Sequence, residues 1–291
     1  MMNFHFEKKF KEDRIWFERN FKKILEKYLD GLQYKYKRIV LYPLFPSGKY
    51  IRPALMFSSA EMLGIKKAEV LYPACCIELI HNYSLIHDDL PCMDNDDYRR
   101  GRLALHKKFS ESDAVLTGDG LLTLSFEILS DWKKDQDIVI KSIKLVSNYA
   151  GLNGLIKGQL MDLESKKFLG KNKKFLSLYI RDLSINKTAK LIEAAVTIPA
   201  FVASLDNKKI KILKEIGKKI GLLFQVTDDL IDFLSGQDKE SLCYPSLIGI
   251  NGTKNFIEQL KKDIICKIDK EFSKNNGYLK YLIEKISTRT V

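Results

Sequence analysis

Long helical periodicity, broken in few places, is what most narrows the folds open to this chain. Phe10, Phe17, Phe21, Ile24, Leu25 and Tyr28 recur at helical spacing with charges between them, which places one apolar stripe along an amphipathic helix. Similar stretches run from Arg52 to Leu63 (with Pro53 in the first turn), Tyr72 to Asp89, Ser112 to Asp131, Ile138 to Glu164, Leu176 to Ser204, Ile210 to Phe233 and Asn255 to Ile286. Only 16 Gly and 7 Pro punctuate 291 residues, and no run of alternating β-branched residues stands between the helices. At 45% hydrophobic residues the chain can fill a core. The expectation is an all-α protein of ten or more helices, one domain over residues 1–291.

The formal net charge of +12 admits nucleic acid, an anionic membrane or small anionic substrates as partners. The excess is mostly Lys and is spread along the whole chain, whereas a nucleic-acid surface needs a concentrated patch with a motif. No apolar run is long enough to span a bilayer. Cys75, Cys76, Cys92, Cys243 and Cys266 are odd in number and form no CxxC pair, which argues against a disulfide framework or a zinc site. Glu7, Glu12, Asp13, Glu18 and Glu26 near the start are unlike a targeting peptide. A cytoplasmic protein with no nucleic-acid partner and no membrane insertion is expected.

Two acidic clusters interrupt this apolar pattern: His87-Asp88-Asp89-Leu90-Pro91-Cys92-Met93-Asp94 and Gln225-Val226-Thr227-Asp228-Asp229-Leu230-Ile231-Asp232. Adjacent carboxylates on a buried helix repel each other and resist desolvation, so a cation that neutralises them is the natural explanation. Asp228 and Asp232 share one helical face. Asp88 and Asp94 are too far apart for that relation, but Pro91 breaks the helix and a loop there brings Asp94 back beside Asp88. Both clusters then offer hard oxygen ligands suited to magnesium, which binds through few carboxylates plus phosphate and water. One such cluster alone could be an ordinary exposed helix end; two on long apolar helices, each with basic neighbours, are not.

Those basic neighbours suit phosphate. Arg99-Arg100-Gly101-Arg102 follows the first cluster, and arginines bind phosphate oxygens in bidentate fashion. Lys49 and Arg52 stand at the start of a helix, whose N-terminus itself attracts anions. Lys187 and Thr188 put a cation and a hydroxyl inside a helical stretch. His81 and His87 lie on the helix leading to the first cluster, and spacing alone makes neither a base.

These residues together resemble the trans-prenyl diphosphate synthases, the family of farnesyl and geranylgeranyl diphosphate synthases, from about Phe45 to Gly249. Gly48-Lys49-Tyr50-Ile51-Arg52-Pro53 resembles the family's GKxxRP motif, and Asp88 to Asp94 with Arg99-Arg100-Gly101 its first aspartate-rich motif. Gly158-Gln159-Leu160-Met161-Asp162 resembles GQxxD, Phe224 to Asp232 the second aspartate-rich motif, and Tyr244-Pro245 a further element. The resemblance implies an all-α isoprenoid-synthase bundle around a central cavity, a homodimer, and magnesium held by Asp88, Asp94 and Asp228 with Asp89, Asp229 and Asp232 close by. It implies that Arg99, Lys187, Thr188 and Gln225 hold the allylic diphosphate, and that Lys49, Arg52, His81 and Arg100 hold isopentenyl diphosphate. The expected reaction is condensation of isopentenyl diphosphate with dimethylallyl or geranyl diphosphate to farnesyl diphosphate. A geranyl or geranylgeranyl diphosphate synthase, a terpene cyclase and a non-catalytic subunit are the alternatives.

Three departures stand out. Tyr50 replaces an expected basic residue, Asn186 a common His, and between Asp232 and Tyr244 the family's longer loop with its lysine is reduced to a segment whose sole cation is Lys239. Product length is expected to depend on Tyr83, about 7.5 Å before Asp88 along the helix, with Ser84 beside it. In the resembling family a bulky residue at this place goes with short products.

Overall fold

The computed structural model describes residues 2–46, 48–168, 170–236 and 242–289, and they are overwhelmingly helical. The chain divides into two compact units, Met1–Ala54 with Leu71–Val139, and Leu55–Val70 with Ile140–Val291. Among the described residues no helix is long and apolar enough to cross a membrane.

In the first unit, α1 (Met2–Tyr28) buries Phe10, Phe17, Phe21 and Leu25, four of the six residues expected to form its stripe. Phe17 stacks on Phe21 with centroids 5.3 Å apart and meets Tyr50 edge-on at 4.8 Å. Burying such rings stabilises by about 1.5–3 kcal/mol each. A short helix the periodicity did not show, α2 (Tyr34–Leu41), buries no residue at all, which is why it left no apolar stripe to read. The first turn of α3 (Ile51–Met62) belongs to this unit, followed by α4 (Leu71–Asp88). A two-stranded ribbon, β1 (Tyr98–Arg99) and β2 (Arg102–Leu103), leads through α5 (Leu105–Lys108) to α6 (Glu111–Ser130), which packs on α4. Ser110 caps α6 by accepting the Asp113 N–H at 3.1 Å. The ribbon was not expected: at two residues a strand it is too short to show alternation.

The second unit resumes at Ile140, inside α7: the stretch expected as one helix from Ile138 to Glu164 is two, α7 (Gln136–Ala150) and α8 (Leu155–Glu164). Gly151 and Gly154 bracket the break, and backbone freedom there outweighs the apolar pattern. From Leu176 to Ser204 the chain is helical in three pieces, α9 (Lys173–Ser184), a π-helical turn Ile185–Ala189, and α10 (Lys190–Val202). Next, α11 (Asn207–Ser235) starts on the cap of Asp206 to the Lys209 N–H (2.8 Å), ends on Gly236 at φ 86°, and packs along α10. The final stretch, expected as one helix, is also two: α12 (Tyr244–Glu271), kinked at Gly249, and α13 (Gly277–Ser287). The polar Ser273-Lys274-Asn275-Asn276 between them, with Asn275 at φ 51°, ends the first.

Candidate active site

Where α4 stops, Leu90 is buried and Pro91 ends the helical register. The chain turns back so that the Asp94 N–H donates to the Asp88 carbonyl at 2.9 Å and the Asn95 N–H to Leu90 at 3.1 Å. Asp94 is thus returned beside Asp88, as the spacing required, and both carboxylates keep access to solvent. Asp89 does not: it is 3% exposed and accepts from Arg99 Nε at 2.8 Å and from Nη2, while that Nη2 also reaches Asp96 at 2.8 Å. Burial pushes the Asp89 carboxyl up, and the Arg99 guanidinium pulls it back. Arg99 is held by the ribbon, whose two-residue turn places Arg100 at φ 54° and Gly101 at φ 74°, the backbone of a tight primed hairpin. Arg102 serves the fold instead, donating to the Phe45 carbonyl at 2.6 Å and lying 4.0 Å over the Tyr42 ring.

The residues expected to hold isopentenyl diphosphate gather around a carboxylate that the motifs did not single out. Glu78, 2% exposed on α4, is pushed up by burial and pulled back by Arg52, Arg100 and Asn82. Asn82 donates to it at 3.2 Å, and Arg100 donates to Asn82 at 3.4 Å. One helical turn on, burial and the charges of Arg52, Arg100 and Arg99 push His81 well below the ordinary histidine value, so it is neutral near pH 7. Arg52, His81 and Arg100 therefore lie together, while Lys49 is exposed. The signal for Glu78 was present, an acid amid apolar residues one turn before His81 and Asn82. Tyr50, in place of a base, does not face this cluster: it is 4% exposed and its ring packs on Phe17.

His87 turns from the carboxylates toward α6, its Nε2 3.1 Å from the Val115 carbonyl. Tyr83 is 5% exposed, edge-on to His87 at 5.8 Å, and burial and then Asp88 push its phenol up to about 12. The Ser84 hydroxyl is bonded back to the His81 carbonyl at 2.9 Å.

The second unit repeats the division of labour within its own acid cluster. Asp229, 8% exposed, accepts from Gln225 Nε2 at 2.8 Å and from the Tyr244 backbone N–H at 3.0 Å. Gln225 in turn accepts the Thr188 hydroxyl at 2.6 Å. Thr188 and Gln225, expected to hold diphosphate, thus form a chain that fixes Asp229 and the start of α12. Asp228 and Asp232 stay partly open on one face of α11. The π-helical turn carries Lys187, which is ion-paired to Asp162 on α8. A Cβ at Gly158 would stand 2.2 Å from the Lys187 nitrogen, so α8 approaches this turn only because residue 158 is glycine. Asn186, in place of a His, faces inward and donates to the Asp182 carbonyl at 2.7 Å. Lys239 lies outside the described residues.

Arg289, which no motif marks, stands beside this second cluster. Its Nη1 is 2.8 Å from Asp228 Oδ1, and its guanidinium lies 4.0 Å from the centroid of the Phe224 ring. It follows Phe224 by 65 positions, too far for sequence spacing to join them.

The solvent-accessible aspartates of the two clusters, Asp88, Asp94, Asp228 and Asp232, offer hard carboxylate oxygens, a donor type that suits magnesium. Among the described residues no three potential ligands already converge on one point.

A family profile described as polyprenyl synthetase matches residues 33–241. The chain is 34% identical over 277 residues to a farnesyl diphosphate synthase from Micrococcus luteus, covering 91% of this chain and 93% of that protein. It is 37% identical over 234 residues to geranylgeranyl pyrophosphate synthase 4 of Arabidopsis thaliana, covering 76% of this chain but only 62% of the plant protein. The crystal structure of a Helicobacter pylori geranyltransferase complexed with magnesium and isoprenyl diphosphate superimposes with a TM-score of 0.76 at 29% identity, over 92% of this chain and 95% of that one.

Proposed function

Since the chain belongs to the polyprenyl synthetase family, we propose that it is a magnesium-dependent prenyltransferase that condenses isopentenyl diphosphate with dimethylallyl and then geranyl diphosphate to farnesyl diphosphate. In this reading the two units act as one catalytic domain on one pair of substrates. The observation that carries it is the split within each acid cluster. Asp89 and Asp229 are buried and bonded, whereas Asp88, Asp94, Asp228 and Asp232 keep access to solvent, where metal and diphosphate arrive.

Asp88, Asp94, Asp228 and Asp232 would hold magnesium, whose chemistry when bound is to neutralise the charge that develops on a leaving diphosphate. Arg99 and Lys187 now rest on carboxylates, Asp89 with Asp96 and Asp162 respectively. On binding they exchange part of that pairing for allylic phosphate oxygens. Arg52 and Arg100, oriented by Glu78 and Asn82, and neutral His81 as a hydrogen-bond partner, receive isopentenyl diphosphate, with Lys49 at its entrance. The allylic carbon–oxygen bond breaks, the isopentenyl double bond attacks the resulting cation, and a proton leaves the adjacent carbon to the departing diphosphate. No side-chain base is needed, which agrees with His87 being turned away to Val115. Apolar helix faces exclude the water that would quench the cation.

The second cationic group of Lys49, Arg52 and Arg100 favours a two-substrate synthase over a terpene cyclase. The buried Tyr83 ring, with Ser84 beside it, favours a fifteen-carbon product by closing the space upstream of Asp88. A homodimer in the cytoplasm completes the proposal: Leu116, 69% exposed on α6, is a large apolar side chain that a second copy would cover. Incubation with dimethylallyl and isopentenyl diphosphates, with magnesium or excess chelator, and sizing of the products tests it. Farnesyl diphosphate formed only with the metal is expected; no elongation with magnesium present refutes it.

A further inference from the structure

We propose that Arg289 is a positioning residue for the second acid cluster, holding Asp228 by one carboxylate oxygen and so fixing the orientation in which that aspartate is presented. The inference rests on the function proposed above. Every nitrogen of the guanidinium is engaged. Nε donates to the Ile286 carbonyl at 3.2 Å, Nη2 to the Phe224 carbonyl at 3.1 Å, and Nη1 pairs with Asp228 Oδ1 at 2.8 Å. The group also lies 4.0 Å from the Phe224 ring centroid, and only 15% of the side chain is exposed. Two carbonyls and a ring fix it whether or not Asp228 is present. It therefore acts as a bracket on which the aspartate is hung, and it differs from a loose counter-ion that a metal would simply displace. A planar fork suits this, since its three nitrogens each reach a separate acceptor, whereas an ammonium offers all its donors from a single nitrogen. Bonding one oxygen of Asp228 selects its rotamer, and outer partners of this kind tune metal affinity. Arg289 also brings a fixed cation to the cluster, after which the sequence as far as Tyr244 holds one lysine, Lys239, and no arginine.

The test compares wild type, Arg289→Ala and Arg289→Lys in two titrations, after thermal melting has shown that each variant is folded. In the first, turnover is followed against magnesium. The concentration for half-maximal rate is expected to rise about 10- to 100-fold in Arg289→Ala, with the rate recovering at high magnesium and the KM for isopentenyl diphosphate unchanged. Arg289→Lys falls between, because it can reach Asp228 but loses the fork. In the second, manganese is titrated calorimetrically into protein holding inorganic pyrophosphate. Affinity should fall by the same factor, and Arg289→Ala should add no further loss in an Asp228→Ala background. Unchanged or tighter metal binding, or a rate that magnesium does not restore, overturns the proposal and leaves Arg289 as a staple for the end of α13. If wild type itself works without a divalent ion, both this and the proposed function fall; if it needs the ion but all midpoints coincide, only this one does.

Discussion

Asp228 and Asp229 are neighbours in sequence with opposite duties, and alanine at each should separate function from stability. Asp229 is 8% exposed and accepts two hydrogen bonds, from Gln225 Nε2 at 2.8 Å and from the Tyr244 N–H at 3.0 Å. Hydrogen bonds to a charged acceptor contribute about 1.5–3 kcal/mol each, and the buried Tyr244 N–H left behind would be orphaned. Some relaxation of Gln225 brings the expected loss for Asp229→Ala to about 3–4 kcal/mol. In a chain of this size that is a fall in Tm of about 6–8 °C, at about 2 °C per kcal/mol. Asp228→Ala loses one ion pair whose carboxylate side is 32% exposed. Solvent screening holds that to about 0–1 kcal/mol, so its Tm should move by no more than about 2 °C while turnover falls by orders of magnitude. Asp229→Asn supplies a further check. Its amide oxygen can keep the Tyr244 N–H, and with Gln225 turned over its amide nitrogen can bond Gln225 Oε1. More than half of the lost stability should return. Differential scanning calorimetry without metal, with product assays alongside, decides the matter. Equal melting shifts for the two alanine variants, or an Asp229→Ala protein that melts like wild type, would refute the reasoning.

Tyr83→Ala should lengthen the products to twenty carbons or more when they are sized by chromatography; an active variant with unchanged products removes Tyr83 as the floor. Gly158→Ala should force α8 away from the π-helical turn, since its Cβ would stand 2.2 Å from the Lys187 nitrogen; a cost of about 1–3 kcal/mol by urea unfolding is expected, together with a raised KM for the allylic substrate. Glu193 on α10, bonded by the Tyr149 hydroxyl, is held above the ordinary value of 4.5 by burial. The fold thus keeps a proton that the unfolded chain releases, so this contribution is full below about pH 4.5, is lost as pH rises through the raised value, and stays lost above it. Glu193→Gln should remove that decline, giving a flatter stability profile from pH 4.5 upward in thermal melts, and an unchanged profile would show that burial of Glu193 carries no such penalty.

Much of this molecule was legible from local pattern, because local pattern is what helices obey. The stripe of α1, the apolar length of α4, and α11 through its acid cluster follow from the 3.6-residue period. The return of Asp94 to Asp88 follows from the proline between them. Breaks set by backbone freedom rather than polarity were harder, and the glycines at 151 and 154 divided a stretch that reads as continuous. The chemistry of the clusters, oxygen ligands beside arginines, was also present in the residue types. Their roles were not: each acid cluster lists its aspartates side by side, and only packing buries Asp89 on Arg99 and Asp229 on the Tyr244 N–H while Asp88 and Asp228 keep access to solvent. The same holds for Tyr50, a missing base in the sequence but a core ring in the fold, and for Arg289, which partners Asp228 from a distant part of the chain. Sequence decides what each side chain can do and which helix face it occupies. Tertiary structure decides which groups are desolvated and partnered, because burial and hydrogen bonding depend on neighbours that are remote along the chain.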